Sequence, residues 1–328
     1  MLAAHYSKYG RAEDVLFTGE IPTPSPSSGE VLVRLTHSGV NPSDAKARAG
    51  ARPGATELPF PKIIPHSDGA GIVEAVGHGV DANRIGSRVW IWNGQWNRAF
   101  GTAAQFIALP SSQAVDLPES ASNETGAALG IPGLTACHAV FGSGSVSGRT
   151  LLVSGGGGAV GHNAVQLAKK DGATVIATAS PASFERIAAA GADHVLDYSD
   201  VELAGKILEL SRGGIDRAIE VEFGANASLL AEVMKPMGTI AAYGSGKAMS
   251  PELPFGPYLF KALKIDITLV YILPPPERQA AIGRLHRAIA RGELVPSIDR
   301  KFKLAECAAA HDAVMAQGRA GAVILEID

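Results

Sequence analysis

Leu151-Leu152-Val153-Ser154-Gly155-Gly156-Gly157-Gly158-Ala159-Val160-Gly161 is the stretch whose reading decides the fold of this chain. An apolar run enters a glycine cluster, and an amphipathic segment from Ala159 to about Lys170 leaves it. Strand, turn and helix in that order make a dinucleotide-binding unit. The spacing Gly155-x-x-Gly158-x-x-Gly161 departs from the commoner G-x-G-x-x-G, although Gly156 also satisfies that pattern. Glycines permit the tight turn and let backbone N–H groups approach a pyrophosphate, whose charge then faces the helix N-terminus. A glycine run alone also suits a flexible loop; the flanking strand and helix favour the nucleotide site.

The following elements extend the pattern. Strands are expected at 174–178, 194–197, 216–221 and 239–243, with helices at 184–190, 201–210 and 226–234 and Gly191 as a C-cap. Strands alternating with helices of this length imply a parallel sheet covered on both faces, joined by right-handed crossovers.

Cofactor choice turns on one corner. An NAD-preferring site carries Asp or Glu about 20 residues past the glycines, at the end of the second strand. Here that corner is Thr178-Ala179-Ser180-Pro181-Ala182-Ser183, with no carboxylate before Glu185. A 2′-phosphate is therefore tolerated, with Ser180 and Ser183 as donors and Arg186 as a source of positive charge. The competing reading makes both serines helix caps and Arg186 a solvated surface residue. The corner favours NADP(H).

Length and composition bound the rest. A chain of 328 residues with 46% hydrophobic residues supports two domains with sizeable cores. A formal net charge of −3 provides no basic field for nucleic acid. Cys137 and Cys307 form neither a disulfide framework nor a metal knuckle, which suits a reducing, cytoplasmic setting. The first residues lack a signal peptide's character, and no apolar run is long enough to cross a bilayer.

The outer segments read differently from the middle. Short strands are expected at 30–36, 70–77, 87–91 and 103–109, bounded by glycine and proline, which implies a compact β-rich domain. The tail, with a helix near 276–291 and strands near 301–304 and 322–327, returns to it. The expected division is 1–117 plus 272–328 for the outer domain and 118–271 for the inserted one.

Three phrases ahead of the glycine turn then point to a family: Gly39-Val40-Asn41-Pro42-Ser43-Asp44, Pro65-His66-Ser67-Asp68-Gly69-Ala70-Gly71, and Gly130-Ile131-Pro132-Gly133-Leu134-Thr135-Ala136. The chain resembles, end to end, the quinone oxidoreductase (zeta-crystallin-like) branch of the medium-chain dehydrogenase/reductases. The resemblance implies a GroES-like catalytic domain into which a Rossmann domain is inserted, NADPH bound between the two, and homodimers joined through Rossmann edge strands. Lys264 to Tyr271 is the counterpart of that edge strand. The zinc alcohol dehydrogenases, a sister branch, place Cys where this chain has Asn41 and His where it has Ser67. With that ligand set incomplete, no catalytic zinc is expected, and a lone His66 reads as a packed or turn residue.

Position by position, the resemblance assigns Pro42, Asp44 and Lys46 to the nicotinamide end, Thr135 to the start of the Rossmann domain, and Gly157, Gly158, Ala159 and Val160 to the pyrophosphate turn. Ser180 and Tyr198 fall around the adenosine ribose. Tyr243, Gly244, Ser245, Ile267, Thr268 and Leu269 line the nicotinamide half, and Arg319 matches a late arginine that reaches the cofactor. The same Arg319 also suits a plain surface turn. Lys46 stands where the family often has Tyr, Phe184 where some members have a phosphate-binding Lys, and Gly133 where an aromatic is common.

The implied activity is hydride transfer from NADPH to a quinone, with Asn41 and Lys46 as candidate donors to the developing oxyanion. Lys46 pointing to solvent is the alternative. Trp92 and Trp96 are candidates for stacking on a flat ring, against simple loop packing or an oligomer contact; Trp90 belongs to the strand core. Two other functions compete: an enone or enoyl reductase of the same branch, and a non-catalytic NADPH-binding protein.

Overall fold

A computed structural model describes residues 1–52 and 54–328. The chain forms two compact units, Met1–Pro132 with Ile298–Asp328, and Gly133–Ser297.

The first unit holds strands β1 (Leu2–His5), β2 (Phe17–Glu20), β3 (Glu30–Val40), β4 (Asp68–Val76), β5 (Arg88–Ile91), β6 (Phe106–Pro110) and β7 (Ala114–Asp116). The second holds β8 (Thr150–Ser154), β9 (Thr174–Ala179), β10 (His194–Asp197), β11 (Ile215–Glu220), β12 (Met234–Ala242) and β13 (Lys264–Ile267). The chain then returns to the first unit with β14 (Ile298–Lys303) and β15 (Ala322–Glu326).

In the first unit the main sheet runs β14-β15-β3-β4-β5-β7, with β6 also pairing β3. The long strand β3 organises it, because its residues pair antiparallel with β4, β6 and β15. Alternation along β3 buries Val31, Val33 and Leu35, and this face joins a core that includes Ile91, Ile107, Leu325 and Cys307. Trp90 is fully buried, as its strand position requires.

In the second unit the six strands run β10-β9-β8-β11-β12-β13, every neighbouring pair parallel. This is the doubly wound order in which the glycine-turn strand lies at the switch point. The helix Ala159–Lys170 follows β8 and buries Ala164, Val165 and Ala168. A buried cation, Arg217 on β11, is held by Nε donating to the Ala139 carbonyl at 2.6 Å, with Asp266 at 3.5 Å from Nη2.

The units divide after 132 and 297, where sequence reading expects 117 and 271. Residues 118–132 stay with the first unit because Arg88 donates to the Ala121 carbonyl at 2.6 Å and the Ile131 N–H reaches Asp68 at 2.9 Å. The helix Pro275–Ala290 stays with the second. Its Arg278 donates to the Leu273 carbonyl at 2.9 Å, and Gln166 exchanges two hydrogen bonds with the backbone of Val295.

Candidate functional site

Each unit carries its own share of the candidate residues. In the second, β8 delivers the chain into the glycine turn, where Gly155 adopts φ +67. The third glycine, Gly161, has no room for a side chain: a Cβ there would lie 2.2 Å from the Gly155 carbonyl oxygen. Gly158 differs. It is the N-cap residue of the helix Ala159–Lys170, with φ −79 and ψ 170, which any residue adopts, and a Cβ would meet nothing nearer than 3.6 Å. Nothing in the protein demands glycine there. Its absent side chain leaves the N–H groups at the helix N-terminus approachable and without a side-chain cap.

Arg186 and Ser183 converge on this turn. Arg186 Nη2 donates to the Gly157 carbonyl at 2.7 Å, and a Cβ at Gly157 would sit 3.0 Å from Ser183 Oγ. Neither Ser180 nor Ser183 makes a side-chain cap hydrogen bond, so the capping reading of the two serines is not realised. Tyr198 N–H donates to the Ala179 carbonyl at 3.3 Å, which brings Tyr198 beside Ser180 at the ends of β10 and β9. Thr135 is buried in the helix Ile131–Phe141.

Sequence reading overlooked Glu220. It ends β11 almost fully buried, and its Oε1 accepts from the N–H of Glu222 at 2.5 Å and from Asn226 Nδ2 at 3.0 Å. Burial pushes its pKa up, against these hydrogen bonds, and its charge adds to the burial that raises Tyr243. The carboxylate that follows the apolar pair Ala218-Ile219 at the end of a parallel strand was the available signal. The segment Tyr243-Gly244-Ser245 is fixed by its neighbours: Phe223 N–H donates to the Gly244 carbonyl at 2.9 Å and Ser245 Oγ accepts from Gly224 N–H at 2.9 Å. Thr268 N–H donates to the Ala242 carbonyl at 2.8 Å, while its Oγ1 is buried with no hydrogen-bond partner among the described residues. Ile267 and Leu269 beside it are exposed.

In the first unit, Asn41 and Asp44 are held by local hydrogen bonds. Asn41 Nδ2 donates to Asp68 Oδ2 at 2.8 Å, and Asp44 Oδ2 accepts from the Asn41 backbone N–H at 2.8 Å. Pro42 opens the helix Pro42–Arg48, and Lys46 is exposed on it. Trp96 is half-buried under the Arg52 guanidinium, 5.9 Å from the ring centre, and Trp92 is half-buried. Arg319 Nη1 turns back onto the Gly321 carbonyl at 3.1 Å.

Asp44 carries a pH signature. Burial, opposed by the Asn41 hydrogen bonds and the charge of Arg52, raises its pKa from 3.8 to about 7. The folded form therefore holds a proton that the unfolded chain releases, and this group's contribution to stability falls as pH rises from about 4 to about 7. Asp44→Asn keeps an oxygen for the Asn41 N–H and loses that slope. Its stability relative to the parent chain rises by about 2 kcal/mol between pH 5 and pH 8, read from urea midpoints. Parallel curves for the two proteins refute this account.

Comparison with known proteins agrees with both units. Residues 27–119 match the alcohol dehydrogenase GroES-like domain family, and residues 159–286 match the zinc-binding dehydrogenase family. The quinone oxidoreductase of Rattus norvegicus is 30% identical over 330 residues, spanning 99% of this chain and 97% of its own length. Among solved structures, an NAD-dependent alcohol dehydrogenase superposes with a TM-score of 0.90 at 27% identity over 100% of both chains. A mycobacterial structure complexed with NADPH superposes with a TM-score of 0.86 at 28% identity, over 99% of this chain and 100% of that one. The zinc in the second family's description is not matched by the residues here. Asn41 presents an amide already bonded to Asp68, and Ser67 a hydroxyl, where the sister branch has thiolate and imidazole. With its GroES-like unit, its doubly wound sheet and a relative matched along nearly all of both lengths, the chain belongs to the quinone oxidoreductase branch of the medium-chain dehydrogenase/reductases.

Proposed function

We propose that this chain, an oxidoreductase by its superfamily, is an NADPH-dependent quinone reductase. The observation that carries the proposal is Gly158: a glycine whose backbone any residue would tolerate, at an uncapped helix N-terminus beside a cation. A ligand that is anionic and pressed against the backbone accounts for it. The corner after β9 holds Ser180 and Ser183 and no carboxylate before Glu185, with Arg186 beyond it, which supports the phosphorylated cofactor over NAD. The mycobacterial neighbour complexed with NADPH agrees with this choice.

Bound NADPH would supply a hydride for an electron-poor carbonyl system. The protein's own tasks are binding, orientation and charge stabilisation. Gly157, Gly158, Ala159 and Val160 take the pyrophosphate, with Ser180, Tyr198, Ser183 and Arg186 around the adenosine ribose and its phosphate. Tyr243, Gly244, Ser245, Ile267, Thr268 and Leu269 position the nicotinamide half, and the unpaired Thr268 hydroxyl is a ready partner for a polar group there. We keep Thr135, Pro42, Asp44 and Arg319 as cofactor-side positions and Trp92 and Trp96 as substrate-side ones. Of the two oxyanion candidates, Lys46 is favoured, because Asn41 donates to Asp68. Solvent returns the proton that completes reduction to the hydroquinone. We further propose a homodimer through the edge strand β13, next to which Phe260 is 89% exposed and Ile272 66%.

Three outcomes are expected. Gly158→Ala keeps the parent's melting temperature and weakens NADPH binding about tenfold or more in titration calorimetry; Gly161→Ala instead loses about 1–3 kcal/mol of stability. Against a panel of quinones and enones, the chain oxidises NADPH with quinones preferentially, and Arg186→Ala raises KM for NADPH about tenfold while leaving NADH unchanged. Enone turnover alone reassigns the substrate, binding without oxidation removes the enzyme, and equal losses with both cofactors place Arg186 at the pyrophosphate. In sedimentation velocity the parent chain runs as a dimer and Phe260→Asp as a monomer; a monomeric parent ends the edge-strand proposal.

A further inference from the structure

We infer that His66, His311 and Cys307 form a buried binding site for one soft monovalent metal ion, Cu(I), in the core of the first unit. Their ligand atoms all lie within 4.8 Å of one another. His66 Nε2 is 2.9 Å from His311 Nε2 and 3.9 Å from Cys307 Sγ. Metal–ligand bonds of about 2.0–2.3 Å set neighbouring ligand atoms about 3.3–3.8 Å apart, so the two separations at His66 need shifts of a few tenths of an ångström and Cys307 and His311 at most about one ångström to seat an ion. All three residues are buried, with exposures of 0%, 0% and 1%.

The surroundings prepare His66 as a ligand. Thr102 Oγ1 donates to the Asp68 carbonyl at 2.5 Å, which commits the one proton of that hydroxyl. Ser38 Oγ, 2.8 Å from Thr102 Oγ1, then donates to Thr102 and accepts from His66 Nδ1 at 2.9 Å. His66 is thereby fixed as its Nδ1–H tautomer, with the Nε2 lone pair aimed at His311 and Cys307. An outer chain of this kind orients metal-binding histidines. His311 Nδ1 is buried with no hydrogen-bond partner among the described residues, so moving the proton of His311 from Nε2 to Nδ1 breaks no bond at Nδ1. His66 also holds a left-handed backbone conformation, φ 78, that favours glycine.

Ligand number and softness select the ion. Cu(I), one thiolate and two neutral imidazoles sum to zero. Among the described residues the cluster offers three ligands, one short of the four that a closed Zn²⁺ site takes. Soft thiolate ligation suits Cu(I). The ligands lie far apart in the chain, on the loop before β4 and on the helix Cys307–Met315, so a bound ion would staple distant segments. The site shares no ligand with the zinc centre of the sister branch, which would require residues 41 and 67.

The test is anaerobic titration of the full chain with Cu(I) against a chromogenic bidentate Cu(I) chelator, on native protein and on protein refolded with the ion present. One equivalent is expected to bind and to raise the melting temperature. X-ray absorption at the copper edge should show one sulfur and two nitrogen neighbours. Cys307→Ser weakens binding by at least about 100-fold, whereas Cys137→Ser does not. If Cys307→Ser fails to fold, the absorption spectrum of the parent protein decides the matter alone. No uptake in either preparation, a copper shell without sulfur, retention of affinity in folded Cys307→Ser, or Zn²⁺ displacing Cu(I) at equal concentration each overturns the inference.

Discussion

A carboxylate taken out of water must be met by donors, and in the first unit that obligation gathers the structure around Asp68. Burial raises its pKa well above the ordinary value, opposed by the Ile131 N–H and by the Asn41 amide. The glycines around it are there for want of space: a Cβ on Gly130 would lie 2.1 Å from Asp68 Oδ1, and one on Gly39 would lie 2.9 Å from Asp68 Cβ. The three phrases that carry the family resemblance, beginning at Gly39, Pro65 and Gly130, thus converge on one side chain. Their order in the chain is a record of one buried polar knot, and disturbing any member leaves a charge or a donor unanswered.

The second unit rests on a different constraint. Parallel strands present their carboxyl ends on one edge, and Ser154, Ala179, Glu220 and Ala242 end β8, β9, β11 and β12 there. Glu220 ties this edge together, because Asn226 reaches both its carboxylate and Ser154 Oγ, the latter at 3.2 Å. Glu222 continues the same logic by accepting from the N–H groups of Gly246 and Lys247 at 3.0 and 2.6 Å. The Glu222 carboxylate and the Ser245 hydroxyl thus anchor the backbone of the loop after β12.

Local signals predicted the second unit well. The helix Ala159–Lys170 and β10 have the bounds that periodicity assigns, since each is bracketed by glycine or by a change of period. The first unit was less legible. β1 and β2 are four residues each and β7 is three, too short to show a period, and β1 is recognisable only through its pairing with β2. The helix Pro42–Arg48 hides behind its proline, which serves as an N-terminal residue rather than a breaker. The tail helix Pro275–Ala290 was expected at nearly its true bounds and assigned to the other unit, because sequence carries no mark of which sheet a helix covers. Contacts such as His66 with His311 join residues 245 positions apart and leave no local trace.

β15 lies between β14 and β3 inside the seven-stranded sheet, with Val323 opposite Val40. During synthesis, β3 leaves the ribosome long before its neighbour exists. The inserted Gly133–Ser297 unit, by contrast, has every strand of its sheet once residue 267 has emerged. The nascent chain is therefore expected to complete its inner unit first, with the flank of β3 awaiting its partner and open to capture by chaperones or by the edge of another chain.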